Sequence, residues 1–267
     1  MERISFTGQV RVYLGKCFRI FQNEKGWKNF IAAGLIAAIV CCVTGEDMFV
    51  TFAATQKGSF ALVCACIWTG IFNSIRSVCA ERAIVKREHR TGMKISAYVT
   101  AHVLYEAAVC LAECAIITAI VCLRNIANLP AFGILLPAFL ELFVDFYLIL
   151  LAADLLGLVV SCVVRTENAA MSAMPFVLIL QMVLAGVIFE LEGFMSFLSA
   201  LTISRWGLAS ICVTANVNKM GFFYSSENDF AYTAAHQLGL WGTMLLFIIV
   251  FTLLCIGFLG LVDRDKR

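Results

Sequence analysis

The amino-acid sequence predicts an all-α integral membrane protein with six transmembrane helices. Of its 267 residues, 61% are hydrophobic and 14% are charged, and the mean hydropathy is +0.91, so the chain has more apolar surface than a soluble core of this length buries. The apolar runs are continuous rather than alternating, and in lipid only helices and closed barrels pair every backbone polar group. We therefore expect helices, in one membrane domain over residues 1–267 without an internal repeat or linker.

An amphipathic helix is predicted over residues 8–27. Its basic side chains lie off the apolar line, which is typical of a helix in the cytoplasmic membrane interface. The segment is not a phosphate-binding loop, because six residues separate Gly8 from Gly15 where four are needed, and Cys17 stands where Ser or Thr binds magnesium. We expect no nucleotide-binding domain in this chain. The apolar positions are Val10, Leu14, Phe18 and Phe21, and the polar ones are Arg11, Lys16, Arg19 and Gln22.

Six apolar stretches follow, and a hydrocarbon core of about 30 Å takes roughly 20 residues as a helix. The first begins near Trp27 without a small-residue cleavage site, which favours a retained span over a signal peptide. Residues 191–213 are less apolar and predict re-entrant or interfacial helices, followed by a polar external cap up to residue 236. We expect Pro137 to break the long fourth segment. The predicted spans are 28–45, 58–78, 97–123, 130–163, 168–190 and 237–262.

The distribution of Lys and Arg predicts the orientation. With six spans and both termini inside, most basic residues lie on the cytoplasmic side, as the positive-inside rule requires. A seventh span would place the basic C-terminal tail outside. The sequence therefore predicts a multi-pass protein of the cytoplasmic (inner) membrane with both termini cytoplasmic. The basic residues left outside are Lys57, Arg124, Arg205 and Lys219.

The most densely charged stretch is the predicted cytoplasmic loop 76–95. Composition alone is consistent with a solvated loop that the positive-inside rule explains. However, apolar residues run through the charges at helical spacing and Gly92 follows as a helix stop, which favours an ordered helix below the membrane. The apolar residues are Val78, Ala80, Ile84 and Val85.

Several acids fall inside predicted spans, where an ionisable side chain is costly and is a functional hypothesis by default. Glu106 and Glu113 share one helix face, while Asp154 belongs to the fourth span together with Glu141 and Asp145. Glu113 is compatible with a polar or cation-binding cavity and with a paired packing role; for Glu106 we favour packing. His102, Glu106, Cys110, Glu113 and Cys114 form a stripe able to bind a soft metal, but no second helix offers ligands, so no metal site is predicted. We expect the cysteines to pack as small hydrophobes.

The stretch ERAIVKREHRTGMKISAY resembles the first cytoplasmic loop of G-subfamily (white-type) ABC exporters, of the type V exporter fold, and their bacterial half-permeases. A second stretch, LAGVIFELEGFMSFLSALTISRWGLASI, is similar to the segment that carries the family's short external helices, with Ser204 in place of a proline. The order of the elements also fits the family over nearly the whole chain. The positions matching the loop pattern are Glu81, Arg87, Glu88, Gly92, Ala97 and Tyr98; those matching in the second stretch are Arg205 and Gly207.

The resemblance implies a permease that works as a homo- or heterodimer with ABC ATPase subunits, in contact with membrane lipid and not with nucleic acid. The 8–27 helix would be the elbow helix, and the 76–95 loop would carry the coupling helix. It implies no cofactor in this chain, with ATP and magnesium on the partner ATPase. The implied ATPase-coupling residues are Glu81, Arg87, Glu88, Arg90 and Gly92. The implied substrate path has Thr69, Phe72 and Met182 along a slit and Val187 with Ile188 as its external plug, although ordinary helix packing explains each equally well.

The sequence therefore predicts a transmembrane subunit of an ABC exporter for a hydrophobic or amphipathic substrate, without enzymatic activity of its own. Two other functions stay open. One is a membrane anchor or assembly subunit that recruits a soluble partner without transport. The other is a proton-coupled secondary transporter that uses Glu113 and Asp154.

Overall fold

A computed structural model describes residues 5–45, 47–189, 191–220 and 228–261, and all regular elements among these residues are helices. Glu190, residue 262 and residues 221–227 of the predicted external cap lie outside the described residues. Short 3₁₀ helices occupy Val217–Lys219 and Asn228–Phe230. The α-helices are α1 (Phe6–Asn23), α2 (Trp27–Val43), α3 (Phe52–Ser74), α4 (Ser77–Arg90), α5 (Ile95–Arg124), α6 (Ala138–Val163), α7 (Glu167–Val183), α8 (Phe194–Ser199), α9 (Ile203–Thr214) and α10 (Ala234–Gly260).

The helical membrane class is confirmed, and the number of spans is settled in part. Among the described residues, four helices are long and apolar enough to cross a membrane: Phe52–Arg90, α5, α6 and α10. The pair α1 and α2, bent by 69°, gives a fifth if it is counted as one span, and α7 is a shorter apolar helix of 17 residues. The six-span arrangement stays a prediction.

Three predicted boundaries differ from the structure by six residues or more. The fifth segment was expected to reach residue 190, but α7 ends at Val183. The fourth segment was expected from residue 130 with a break at Pro137; the break is confirmed, and α6 begins only at Ala138, because proline is tolerated at a helix start and interrupts a helix that precedes it. The second segment was expected from residue 58, but α3 begins at Phe52. Lys57 is exposed, so its flexible side chain lies outside the helix bundle and does not interrupt the helix.

Helix α6 is the centre of the bundle and packs against α3, α5, α9 and α10. It approaches α3 closely at two glycines. A Cβ added to Gly70 would lie 2.6 Å from the Leu150 carbonyl oxygen, and one added to Gly157 would lie 2.8 Å from the Ile71 carbonyl oxygen. Small residues allow helix backbones to approach in this way in membrane bundles. The approach brings the C-terminal part of α3 beside the middle of α6.

The predicted N-terminal helix is present as α1, which packs along α5. The Ser5 side chain caps its start by accepting a hydrogen bond from Gly8 N. Lys25, in the turn after α1, has a positive φ of 57°, and the chain changes direction there into α2. Residues 191–213 form the short helices α8 and α9, as expected for a segment that does not span; their re-entrant position stays a prediction.

Candidate functional site

The 76–95 segment is an ordered helix, α4, which continues α3 after a short break. Its end is set by Gly92, which has a φ of +111°, a conformation that favours glycine. The Met93 amide donates to the Glu88 carbonyl and the Gly92 amide to the His89 carbonyl, so the last turn closes with a glycine cap. The helix and its stop, both predicted from the sequence, are confirmed.

The beginning of α4 is joined to the end of α6 by reciprocal capping. The Ser161 hydroxyl of α6 accepts from the Val78 and Cys79 amides, each at 3.0 Å. In return, Arg82 Nη1 donates to the Cys162 carbonyl at 2.7 Å and the Val164 carbonyl at 3.1 Å. Each helix thereby satisfies backbone groups that the other leaves unpaired at its terminus. A displacement of α4 therefore moves the end of α6.

The two acids of the predicted coupling set face the rest of the chain. The Glu81 carboxylate lies 2.9 Å from Lys16 Nζ on α1 and accepts from the Tyr98 hydroxyl of α5 at 3.3 Å. The Glu88 carboxylate accepts from the Tyr13 hydroxyl of α1 at 3.0 Å. These acids hold α4 against α1 and α5, so within this chain they position the helix.

The opposite face of α4 is exposed. Arg87, Arg90 and Gly92 of the predicted set lie on it, together with Ala80, Ala83 and Ile84, and the Ile84 side chain is 39% exposed. An apolar centre beside cationic side chains is a surface suited to contact with a protein partner, since charges there set the register and speed of docking. The predicted coupling residues are therefore divided. Glu81 and Glu88 face the rest of the chain, whereas Arg87, Arg90 and Gly92 are exposed.

The residues of the predicted substrate path occupy different places. A cavity of about 620 Å³ lies between α2, α3 and α7, and among the predicted residues it is lined by Met182. Thr69 is buried and donates to the Ala65 carbonyl, and Phe72 lines a separate cavity near α1. Val187 and Ile188 follow Gly186, which has a φ of +81°, and Ile188 is half exposed.

The lining of the 620 Å³ cavity includes aromatic and small residues of α3 that the sequence reading missed. Phe60, Cys64 and Trp68 lie at i, i+4 and i+8, a spacing that indicates one helix face. This periodicity was visible in the sequence, but it does not reveal which helix the face meets.

Glu141 and Asp145 of α6, whose carboxylate oxygens all accept hydrogen bonds, form a group with α9 and α10, which we call the Asp145 cluster. Asp145 Oδ1 accepts from Ser210, Gln237 and Trp241 at 2.6, 3.1 and 2.6 Å, and Thr214 lies 2.8 Å from Asp145 Oδ2. The Glu141 carboxylate accepts from the Leu135 and Leu136 amides before α6. Such a network fixes α9 and the start of α10 on α6.

Tyr232 extends this arrangement outside the spans. Its hydroxyl donates to the Gly133 carbonyl at 2.9 Å, in the loop that Glu141 also holds. Burial, and then the nearby Glu141 carboxylate, raises the pKa of the Tyr232 phenol. The loops before α6 and before α10 are therefore joined directly.

Glu106, Glu113 and Asp154, all singled out from the sequence, are brought together by α5 and α6; we call them the Asp154 cluster. The Asn73 amide of α3 donates to Glu113 Oε2 at 2.8 Å, and the Cys110 thiol donates to Asp154 Oδ2 at 3.3 Å. Each of the three carboxyl groups retains one buried oxygen without a hydrogen-bond partner.

The His102, Glu106, Cys110, Glu113 and Cys114 stripe, for which no metal site was predicted, does not form a metal-binding group among the described residues. Over the described ranges, no three His, Cys, Asp or Glu side chains converge as a metal site. His102 Nε2 instead lies 3.9 Å from the Cys17 thiol of α1.

Comparisons with known proteins find sequence matches over most of the chain. The sequence profile of the ABC-2 type transporter family matches residues 17–214, about three quarters of the chain. A similar protein is an ABC transporter ATP-binding/permease protein of Mycobacterium tuberculosis, which is 25% identical over 261 residues. The match covers 93% of this chain and 30% of that relative, so the chain spans less than a third of the relative's length.

Proposed function

Because the chain belongs to the ABC-2 type transporter family, we propose that it is the permease subunit of an exporter that moves a hydrophobic or amphipathic substrate out of the cell. The chain is a multi-pass membrane protein, and the part that the family profile matches is a membrane domain without an ATPase domain. Permeases of this family work with ATPase subunits. In the proposed complex, separate ATPase subunits bind ATP and magnesium, and two permease protomers pair.

The observation that carries the proposal is the position of α4. One face of this helix is anchored to α6, α1 and α5, and the other presents Ile84 and Arg87 outward. A rigid helix held in this way transmits a push instead of absorbing it. Closure of the ATPase subunits on ATP would displace α4, and the Ser161 and Arg82 contacts would carry the displacement into α6.

The proposed arrangement has six spans, α2, α3, α5, α6, α7 and α10, with both termini in the cytoplasm and α1 as the elbow helix. The cavity between α2, α3 and α7 is apolar and would hold the substrate where two protomers meet. Val187 and Ile188 would close its external end, since only three residues separate them from the end of α7 at Val183. Movement of α6 and α3 would open the cavity alternately to the two sides.

Copurification tests the docking face. The tagged chain, purified in mild detergent from its own host, is expected to retain an ABC ATPase with measurable ATP hydrolysis. Arg87→Glu reverses a charge on the outward face of α4 and is expected to reduce the retained ATPase about tenfold, a loss of about 1.4 kcal/mol. Arg19→Glu, an equal charge reversal at an exposed position of α1, is the matched control. Absence of an ATPase, or equal loss in both variants, would contradict the proposal.

Transport separates the exporter from the two alternatives. Ser161→Ala removes the Ser161 half of the junction of α4 and α6 without altering the outward face, so the ATPase is expected to remain bound while ATP-driven dye accumulation in inside-out vesicles falls. A pure assembly subunit gives no ATP-driven accumulation even in the unaltered chain. A proton-driven transporter accumulates dye without ATP when a pH gradient is applied, and Glu113→Gln abolishes that accumulation.

A further inference from the structure

The Asp154 cluster contains more buried acid than its surroundings satisfy. Glu106 is 1% exposed, and Glu113 and Asp154 are 0% exposed. Glu106 Oε1, Glu113 Oε1 and Asp154 Oδ1 each lack a hydrogen-bond partner. A buried carboxylate oxygen left in this way is expensive, and isolated ionised acids in a low-dielectric interior are more expensive still.

The burial of these acids favours a bound proton. Glu106 lies one helical turn before Cys110 on α5, and the Cys110 thiol donates to Asp154 Oδ2 at 3.3 Å, so Glu106 and Asp154 are neighbours in the bundle. In a low-dielectric interior, a carboxyl group without a cationic partner binds a proton and loses its charge. Two neighbouring acids that share one proton are a known arrangement in enzymes.

Among the described residues, no positively charged side chain that could take the place of this proton faces the cluster. Among the described residues, the titratable groups that face the three acids are thiols and a phenol: Cys66 of α3, Tyr105 and Cys110 of α5, and Cys17 of α1. Asn73 and Ser74 of α3 are neutral. Lys16, a basic side chain on the neighbouring helix α1, is paired with Glu81. No metal-binding group forms in the described part of the chain either.

A route to the cluster begins in a cavity of about 610 Å³ between α1, the end of α3 and α5. Asn29, Asn73 and His102 lie in its wall. Asn29 donates to Asn73 at 3.1 Å, and Asn73 donates to Glu113 at 2.8 Å, so a hydrogen-bonded chain leads from the cavity to the first acid. His102 Nδ1 is buried without a partner one helical turn before Glu106.

The acids themselves do not line this cavity, whose wall also carries Lys28 and Arg76; Asn73 and His102 lie between the cavity and the acids. Any species that passes Asn73 and His102 and reaches the acids must be very small. We propose that Glu106, Glu113 and Asp154 form a proton-binding site within the bundle, which exchanges protons with the cavity by way of the His102 imidazole, while the Asn73 amide holds Glu113 in place at the cavity wall. On binding, hydronium in the cavity gives up its proton, an O–H bond forms on a carboxylate, and water remains. This inference does not depend on the proposed pairing with an ATPase.

Infrared spectroscopy of the purified full chain at neutral pH tests the bound proton. The carboxylic C=O stretching band of a protonated buried acid is expected, with a shift to lower frequency in D₂O. The double variant Glu106→Gln/Asp154→Asn is expected to lose this band, whereas Asp145→Asn, at an equally buried acid, retains it. Absence of the band in the unaltered chain, or its persistence in the double variant, would overturn the proposal. Each variant is checked by its gel-filtration elution, and Glu106→Gln alone, expected to weaken the band, serves if the double variant does not fold.

The rate of the D₂O shift tests the route. Asn73→Leu removes the amide that reaches Glu113 and is expected to slow the shift about tenfold. Asn168→Leu, at an exposed position of α7, is the matched control and is expected to leave the rate unchanged. An unchanged rate in Asn73→Leu would show that the position of Glu113 beside Asn73 does not serve the exchange and would overturn the proposed route.

Discussion

Helix α6 carries two buried acid clusters that differ in how well they are satisfied. Asp145 accepts hydrogen bonds from side chains of α9 and α10, while Asp154, nine residues and about 13 Å further along the same helix, leaves an oxygen unpaired and is beside a second acid. A saturated network stabilises one arrangement of helices, whereas an unsaturated one costs free energy in that arrangement. The difference assigns a structural role to the Asp145 cluster. The helices around the Asp154 cluster can rearrange at a lower cost in free energy, because fewer hydrogen bonds hold them.

The largest expected effect follows from removing the saturated acid. Asp145→Ala leaves Ser210, Gln237 and Trp241 without their common acceptor inside the bundle. Each buried donor left without an acceptor costs about 1–3 kcal/mol, so a total loss of about 3–5 kcal/mol is expected. The free energy of unfolding in a mixed-micelle denaturation series measures it. A loss below about 1 kcal/mol would mean that this network does not hold α9 and α10 in place.

A smaller loss is expected at Gln237, the residue by which α10 joins the same cluster. Its amide nitrogen contacts Asp145, Ser210 and Thr214, but its Oε1 has no partner. Gln237→Leu is therefore expected to cost about 1–2 kcal/mol, less than the loss at Asp145 because that acid keeps its other donors. The same denaturation series measures this loss. A loss equal to that of Asp145→Ala would mean that Gln237 contributes most of the stability of the network.

The smallest effect is expected in the Asp154 cluster. Glu113→Gln retains a carbonyl oxygen to accept from Asn73 and removes a buried acid. We expect a change in the free energy of unfolding within about 0.5 kcal/mol. A loss of several kcal/mol would mean that Glu113 is a structural acid, and the contrast between the two clusters would then weaken.

Much of this architecture follows from local patterns in the sequence. The long apolar helices, α4 with its stop at Gly92, and the shared face of Glu106 and Glu113 all depend on hydropathy, helical period and glycine geometry, which act over a few residues. The boundary of α6 at Pro137 differed from the prediction by eight residues, because hydropathy continues across a turn that proline ends.

Pairings between distant segments were not predictable in this way. Asp145 meets Ser210 and Trp241, which are 65 and 96 residues away, and no local period identifies such partners. The inward orientation of Glu81 and Glu88 likewise depends on Lys16 and Tyr13, which α1 supplies only once it packs along α5. The sequence identified the acids; their partners were set by tertiary packing.

The central contrast is tested most directly by one paired measurement, the free energy of unfolding of Asp145→Asn and Asp154→Asn at neutral pH under identical conditions. Both variants replace a fully buried acid of α6 by its neutral isostere. We expect Asp145→Asn to lose about 1.5–3 kcal/mol, because its charged hydrogen bonds weaken, and Asp154→Asn to change by less than about 1 kcal/mol. Equal losses, or a larger loss at Asp154, would contradict the division of α6 into a fixed and a changeable half.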